Sequence, residues 1–163
     1  MFNTYGLPLT SKDLILYALS IGCNQSDPLN RDHFRFTYEN DGDFTSFPTL
    51  ASALGVKNFG DWMSIPGFPK IDLNLTLHGE EENRILKPLT ADNKYICEQR
   101  FIDFQDKGKM TVAVVEKVFK CATTGEVHVI TTDQLVFRGF GGFGYKGTSK
   151  SVLGDGKVER PTR

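Results

Sequence analysis

The sequence predicts an α+β fold in which a curved antiparallel sheet wraps one short helix. Two observations carry the expectation. Residues 94–105, 110–121 and 126–138 read as long strands, joined by the tight links Asp106-Lys107-Gly108-Lys109 and Thr123-Thr124-Gly125; strands linked so closely form an antiparallel meander. Upstream, Phe47-Pro48-Thr49-Leu50-Ala51-Ser52-Ala53-Leu54-Gly55 reads as a short helix over 48–54 against the concave face of that sheet. Pro48 suits the first turn, where its missing N–H costs nothing, and Gly55 suits the position just past the end. Residues 56–70, with two Gly and two Pro, then turn irregular. A central helix cut short leaves room inside the sheet, and that room is a pocket.

The remaining elements follow in chain order. Residues 1–9 read as an irregular lead-in. Thr10-Ser11-Lys12-Asp13 matches a capping box, with Leu14, Ile15, Ala18, Leu19 and Ile21 as an apolar face and Gly22 as the stop. A polar loop covers 23–32. Phe34, Phe36 and Tyr38 alternate with Arg35, Thr37 and Glu39, the pattern of a strand. Ile71, Leu73, Leu75 and Leu77 alternate in the same way, and Gly79 with Glu80, Glu81 and Glu82 then reads as a solvated turn. Residues 139–150 are Gly-rich and 151–163 are linker-like, so one domain is expected over 1–150. The arrangement is that of a hot-dog fold, although the pattern alone leaves other α+β layouts open.

Composition bounds the function. With 163 residues the chain is long enough for one domain with a real core, and a net charge of −1 implies no general polyanion partner such as nucleic acid. The three cysteines, Cys23, Cys97 and Cys121, have no metal-ligand spacing, so no metal and a reduced, intracellular setting are expected. No apolar run is long enough to span a membrane, and neither a signal-peptide layout nor a peroxisomal C-terminal tripeptide is present. G-x-S-x-G, H-E-x-x-H, Walker and C-x-x-C motifs are absent. Gly139-x-Gly141-x-x-Gly144 fits a dinucleotide string, but no helix or parallel strand is expected after it.

Four sets of residues are candidates for chemistry or binding. Glu39 is either a carboxylate at a pocket mouth or a solvated strand-end charge. His78 is either a donor to a ligand phosphate or carbonyl, or a surface histidine. The 138–150 segment brings Arg138, Lys146 and Lys150 together with glycines and rings. It suits either a nucleotide-bearing group such as coenzyme A or a flexible linker. Phe44, Phe47, Leu50, Trp62 and Ile65 line an acyl cavity or form ordinary core.

The ordered blocks Leu14 through Gly22, Phe36-Thr37-Tyr38-Glu39, Phe44-Thr45-Ser46-Phe47-Pro48-Thr49, Ile65-Pro66-Gly67, Leu77-His78-Gly79-Glu80, Lys87-Pro88-Leu89, Asp106-Lys107-Gly108 and Gly141-Gly142-Phe143-Gly144-x-Lys146 resemble a known family. That family is the enoyl-CoA hydratase 2 part of peroxisomal multifunctional enzyme type 2, related to MaoC-like dehydratases. The likeness runs from about Ser11 to Lys150 and covers the first of the family's two hot-dog repeats. It implies the acyl-binding half of a (3R)-specific hydratase acting on trans-2-enoyl-CoA in fatty acid β-oxidation. Coenzyme A thioester is then a substrate rather than a cofactor, the setting peroxisomal, and the partner a second hot-dog repeat or a second copy.

By the same resemblance Glu39 has a supporting catalytic role, and His78, Gly79, Arg138, Gly141, Gly142, Phe143, Gly144 and Lys146 contact substrate or CoA. The family's catalytic D-x-N-P-x-H motif belongs to its second repeat and does not occur in this sequence, so the isolated chain is expected to be inactive. A non-catalytic acyl-CoA-binding or scaffold module is the alternative. A thioesterase would need a carboxylate on a longer central helix. Residues 110–121, with Val112, Val114, Val115, Val118 and Phe119, are expected near an open sheet edge, making a lone unit prone to self-association.

Overall fold

A computed structural model describes residues 3–56 and 61–148. The tail expected over 151–163, and the part of the irregular segment at 57–60, lie outside the described residues. Five antiparallel strands form one sheet: β1 (Asn3–Leu9), β2 (Thr76–Ile85), β3 (Asn93–Asp106), β4 (Met110–Cys121) and β5 (Val127–Arg138), in the order β1-β3-β4-β5-β2. Between β1 and β2 the chain forms the helices α1 (Ser11–Ser20), α2 (Arg31–Thr37) and α3 (Leu50–Leu54).

The meander of β3, β4 and β5 stands where the alternation and the Gly-containing links place it. Thr10 and Asp13 form the expected capping box, with Thr10 N–H donating to Asp13 Oδ2 at 2.8 Å. Helix α1 closes at Gly22, whose φ of +101° favours glycine. Helix α3 is shorter than the expected 48–54: it runs Leu50–Leu54 with Thr49 as N-cap, so Pro48 precedes the helix rather than sitting in its first turn. Its Leu50 and Ala51 are buried with Tyr5, Leu7, Leu14, Tyr95, Phe119 and Val129, so it packs on one face of the sheet. A second apolar cluster on the same face gathers Trp62, Ala113, Val115, Leu135 and Phe137.

Five expectations are corrected. Residues 3–9 are not irregular: Tyr5, Leu7 and Leu9 are buried and β1 pairs with β3. Gly6 and Pro8 read as breakers, yet Pro8 is tolerated because β1 is an edge strand. The Phe34–Tyr38 alternation belongs to a helix end rather than a strand. Asn30 caps α2 by accepting from Asp32 N–H at 3.0 Å, and Thr37 Oγ1 donates to Asn24 Oδ1 at 2.8 Å.

The alternation at 71–77 also misleads. Asp72 accepts from Asn74 N–H at 2.9 Å and winds Leu73–Leu75 into a 3₁₀ turn, so β2 begins at Thr76. Strand β2 then runs through Gly79 and Glu80 to Glu82, which form no turn. Finally, β4 lies at the centre of the sheet, bonded to β3 and β5, and the edges are β1 and β2. Its valines are therefore covered by neighbouring strands rather than open to pairing.

Candidate functional site

Alternation along β4 and β5 points Ala113, Val115, Lys117 and Phe119, and Val129, Thr131, Asp133, Leu135 and Phe137, toward α3. Lys117 and Asp133, with Thr131 opposite Lys117 in register, thus stand on a face that is otherwise apolar along these two strands. Register adds Gln99 from β3 and Glu81 with Asn83 from β2. The result is a polar belt between the two apolar clusters.

The belt ties to the end of α3. Gln99 Nε2 donates to Gly55 O at 3.1 Å and to Tyr5 Oη at 3.1 Å, and Tyr5 Oη donates to Leu54 O at 2.9 Å. These bonds satisfy carbonyls that a helix end leaves without partners. Gly55 lacks the left-handed φ expected of it, at −69°. Its role is steric: a Cβ there would come within 2.9 Å of Lys117 Cδ. A larger residue would push Lys117 off its partner.

Where α3 stops, a cavity of about 540 Å³ opens over the belt, within the usual range for small-molecule sites. Ala53, Val56, Leu73 and Leu135 supply apolar wall, and His78, Glu81, Lys117 and Asp133 supply the charged floor. Lys117 Nζ pairs with Asp133 Oδ2, both side chains being at most 10% exposed. His78 Nε2 lies 3.5 Å from Asp133 Oδ1 and 3.7 Å from Glu81 Oε2. Asn83 Nδ2 donates to Glu81 Oε1 and to Ser52 Oγ, each at 2.8 Å, and Thr131 Oγ1 donates to Asn83 Oδ1 at 2.7 Å.

Burial pushes the Asp133 carboxyl up, with the Lys117 ammonium pulling the other way. Burial also pushes Glu81 up, but hydrogen bonds with Ser52 and Asn83, the charge of Lys117 and a hydrogen bond with Asp133 outweigh it, leaving Glu81 below its ordinary range. Oppositely displaced carboxyls beside an imidazole can hold a proton, a polar ligand group or a cation.

Of the expected site residues that the structure describes, only His78 reaches this floor; Lys150 lies outside the described residues. Gly79 forms the β-bulge beside it. Glu39 is exposed after α2, not at a strand end, and lines none of the cavities described. The five acyl-lining residues do not share one cavity. Phe47 and Leu50 border a separate space of about 260 Å³, with Arg35 and Ile85. Phe44 packs on the α1 and α3 cluster, Trp62 is core, and Ile65 borders a third space with Phe104 and Phe143. Sequence reasoning missed Lys117 and Asp133 and set Glu81 in a turn. The signal was present: two charges at inward positions of alternating strands.

The Gly-rich segment also differs from expectation. Two of its N–H groups, those of Gly142 and Gly144, do not wait for a phosphate, because Asp106 already accepts from them. Gly142 N–H donates to Asp106 Oδ1 at 3.0 Å, Gly144 N–H to Oδ2, and Gly108 N–H to Oδ1 at 2.7 Å. Gly141 packs so closely that a Cβ would lie 2.5 Å from Gly108 O. Arg138, Phe143 and Lys146 remain exposed around this closed loop.

The bonds from Gly142, Gly144 and Gly108 hold the Asp106 carboxyl down at about 2. A lowered carboxylate pKa stabilises the fold above the unfolded-state value, and the contribution is lost as pH falls toward the folded value. Thermal stability should therefore drop between about pH 4 and about pH 2. In Asp106→Asn that part of the drop should be missing, as thermal unfolding across the window will show. An unchanged pH profile in the variant would mean that the loop is held by other groups.

The architecture is that of a hot-dog protein: a short helix held on the inner face of one long antiparallel sheet. Residues 8–139 match the family described as the MFE-2 hydratase 2 N-terminal domain, and the chain belongs to that family. It is 30% identical over 138 residues to a probable enoyl-CoA hydratase 2 of Dictyostelium discoideum, covering 83% of this chain and 45% of that protein. It is 31% identical over 134 residues to the peroxisomal enoyl-CoA hydratase 2 of Arabidopsis thaliana, covering 81% and 43%.

The chain thus spans less than half the length of either relative. A crystal structure of a MaoC-like dehydratase from Phytophthora capsici superposes with a TM-score of 0.73 at 28% identity, covering 99% of this chain and 53% of that one. The HadBC (3R)-hydroxyacyl-ACP dehydratase complex of Mycobacterium tuberculosis shares the fold alone. Its TM-score is 0.59 at 14% identity, covering 81% of this chain and 90% of that one. No described helix is long and apolar enough to cross a membrane.

Proposed function

We propose that this chain is the acyl-binding half of a (3R)-specific 2-enoyl-CoA hydratase, serving the hydration of trans-2-enoyl-CoA in peroxisomal fatty acid β-oxidation. The observation that carries the reading is the cavity left where α3 ends. Its apolar walls take acyl carbons. Hydration needs a water held between an acid and a base, and donors to the thioester oxygen as enolate charge develops. A second hot-dog unit bearing D-x-N-P-x-H supplies that set.

The second unit docks along β2. This edge has open backbone groups and exposed Leu75, Leu77, Ile85 and Leu86 beside it, whereas β1, the other edge, carries Pro8, which cannot donate. Glu39 keeps its supporting role as a proposal, acting from the exposed turn toward the second unit. CoA contact is proposed for Arg138, Phe143 and Lys146 at the rim of the loop.

Titration with decanoyl-CoA by calorimetry tests the cavity. The chain should bind it, and Ala53→Trp, at an exposed wall position, should weaken binding at least about tenfold, about 1.4 kcal/mol. Absence of binding by the unaltered chain, or equal binding by the variant, would overturn the assignment.

A further inference from the structure

We propose that His78, Glu81 and Asp133 form a three-ligand site for a divalent cation of the zinc class on the cavity floor. This goes beyond acyl binding and stands independently of it. One donor atom from each residue lies within 4.8 Å of the others. The separations from His78 Nε2, 3.5 Å to Asp133 Oδ1 and 3.7 Å to Glu81 Oε2, are long for hydrogen bonds. They approach the tetrahedral edge of about 3.3 Å that follows from zinc–ligand bonds of about 2.0 Å.

A second observation points to a ligand independently. Asp133 Oδ1 is buried, its side chain 3% exposed, and no N–H or O–H donor reaches it within hydrogen-bond geometry; it faces the His78 imidazole at 3.5 Å and the Glu81 carboxylate. A buried carboxylate oxygen left without a donor is costly. Its companion Oδ2 is held by Lys117. In Glu81, Oε1 is held by Asn83, which Thr131 orients in turn. Each carboxylate is thereby fixed through one oxygen and presents the other. Outer partners of this kind orient metal ligands.

The backbone supplies the convergence. Glu81 pairs with Asp133 across β2 and β5. His78 and Glu81 are three apart and would face opposite sides of a regular strand. The bulge between His78 and Glu80 turns both to the inner face, the re-aiming that bulges perform. Gly79 permits it at close range, since a Cβ there would lie 3.2 Å from Gln134 O.

The donor set selects the cation. Calcium and magnesium prefer six or more oxygens, whereas one imidazole and two carboxylates suit zinc. Lys117 offsets one of the two negative charges, so the site favours a cation less strongly than two free carboxylates would. Three protein ligands leave a fourth position open toward the cavity, the pattern of zinc sites that bind water or a ligand oxygen.

The competing arrangement is a proton shared between the Asp133 and Glu81 carboxyls beside His78, with no metal. Metal-free full-length chain titrated with Co²⁺ separates the two. The proposal expects one equivalent bound, with the visible absorption of low-coordinate cobalt, displaced by Zn²⁺. His78→Ala and Glu81→Gln should each weaken Co²⁺ binding about 100-fold or more, since even outer-shell changes cost 10–100-fold. His78 is half exposed, so its variant should fold, as circular dichroism checks. Glu82→Gln, at a neighbouring carboxylate whose side chain is 41% exposed and pairs with Arg84 rather than the floor, should bind as the unaltered chain does. No saturable cobalt spectrum, or His78→Ala binding as tightly as the unaltered chain, would overturn the site in favour of the protonated pair.

Discussion

Replacing Asp133 by Ala is expected to lower the unfolding free energy by about 3–5 kcal/mol, the usual cost of leaving one member of a buried ion pair alone. Asp133 holds Lys117, and neither side chain is more than 10% exposed. Gly55 closes over the lysine shaft with no room for a Cβ, so Lys117 has little freedom to turn outward. Without its partner the ammonium stays in a place where water reaches it poorly. Urea denaturation reads the effect directly.

The double variant Lys117→Met, Asp133→Leu is the informative companion. Apolar replacements of similar volume remove both charges together, and such exchanges are often neutral or stabilising. It should recover most of the loss, because Val115, Phe119 and Leu135 already surround these positions with apolar side chains. If the double variant were as unstable as the single one, the belt would be contributing shape and hydrogen bonds rather than a paired charge. A single-variant loss under about 1 kcal/mol would instead mark the pair as solvated.

How much of this was legible in the sequence depends on the scale of the signal. Three strands of ten residues or more, with glycine at each turn, marked an antiparallel meander, although other α+β layouts stayed open to the pattern alone. The α1 capping box is a local device and was read correctly from Thr10 and Asp13. Short patterns were less safe. Six alternating residues at Phe34 suit a strand, but Asn30 and the Asn24–Thr37 bond turn them into a helix. Tyr5, Leu7 and Leu9 alternate cleanly, yet Gly6 and Pro8 hid a strand that only an edge position tolerates.

The floor was harder because its members come from distant segments. Glu81 meets Asp133 only through the β2–β5 register, and the bulge that turns His78 inward is a property of pairing. The nest filled by Asp106 was hidden for the same reason: it joins residue 106 to glycines more than thirty positions on. What the sequence did display was charge on an apolar face, at Lys117 and Asp133.

Purified alone, the chain is expected to hydrate crotonyl-CoA or decenoyl-CoA no faster than buffer. Hydration requires an acid and a base on either side of one water, each contributing about 10²–10⁴-fold. The motif that carries them in the family is absent from this sequence, and the chain spans less than half of the hydratases it resembles. Mixing it with a hot-dog unit that bears D-x-N-P-x-H should restore turnover, and a charge placed on the β2 edge by Leu77→Lys should reduce that recovery. Glu39→Gln should leave the fold intact, since the residue is exposed; a fall in the reconstituted rate would establish its supporting role. The cavity floor makes this a demanding test, because His78, Glu81 and Asp133 are themselves groups able to move protons. Turnover by the pure chain that disappears in His78→Ala would place the chemistry on that floor and end the half-enzyme reading. Turnover that survives in His78→Ala would end it as well, with the acid and base still to be sought elsewhere on the chain.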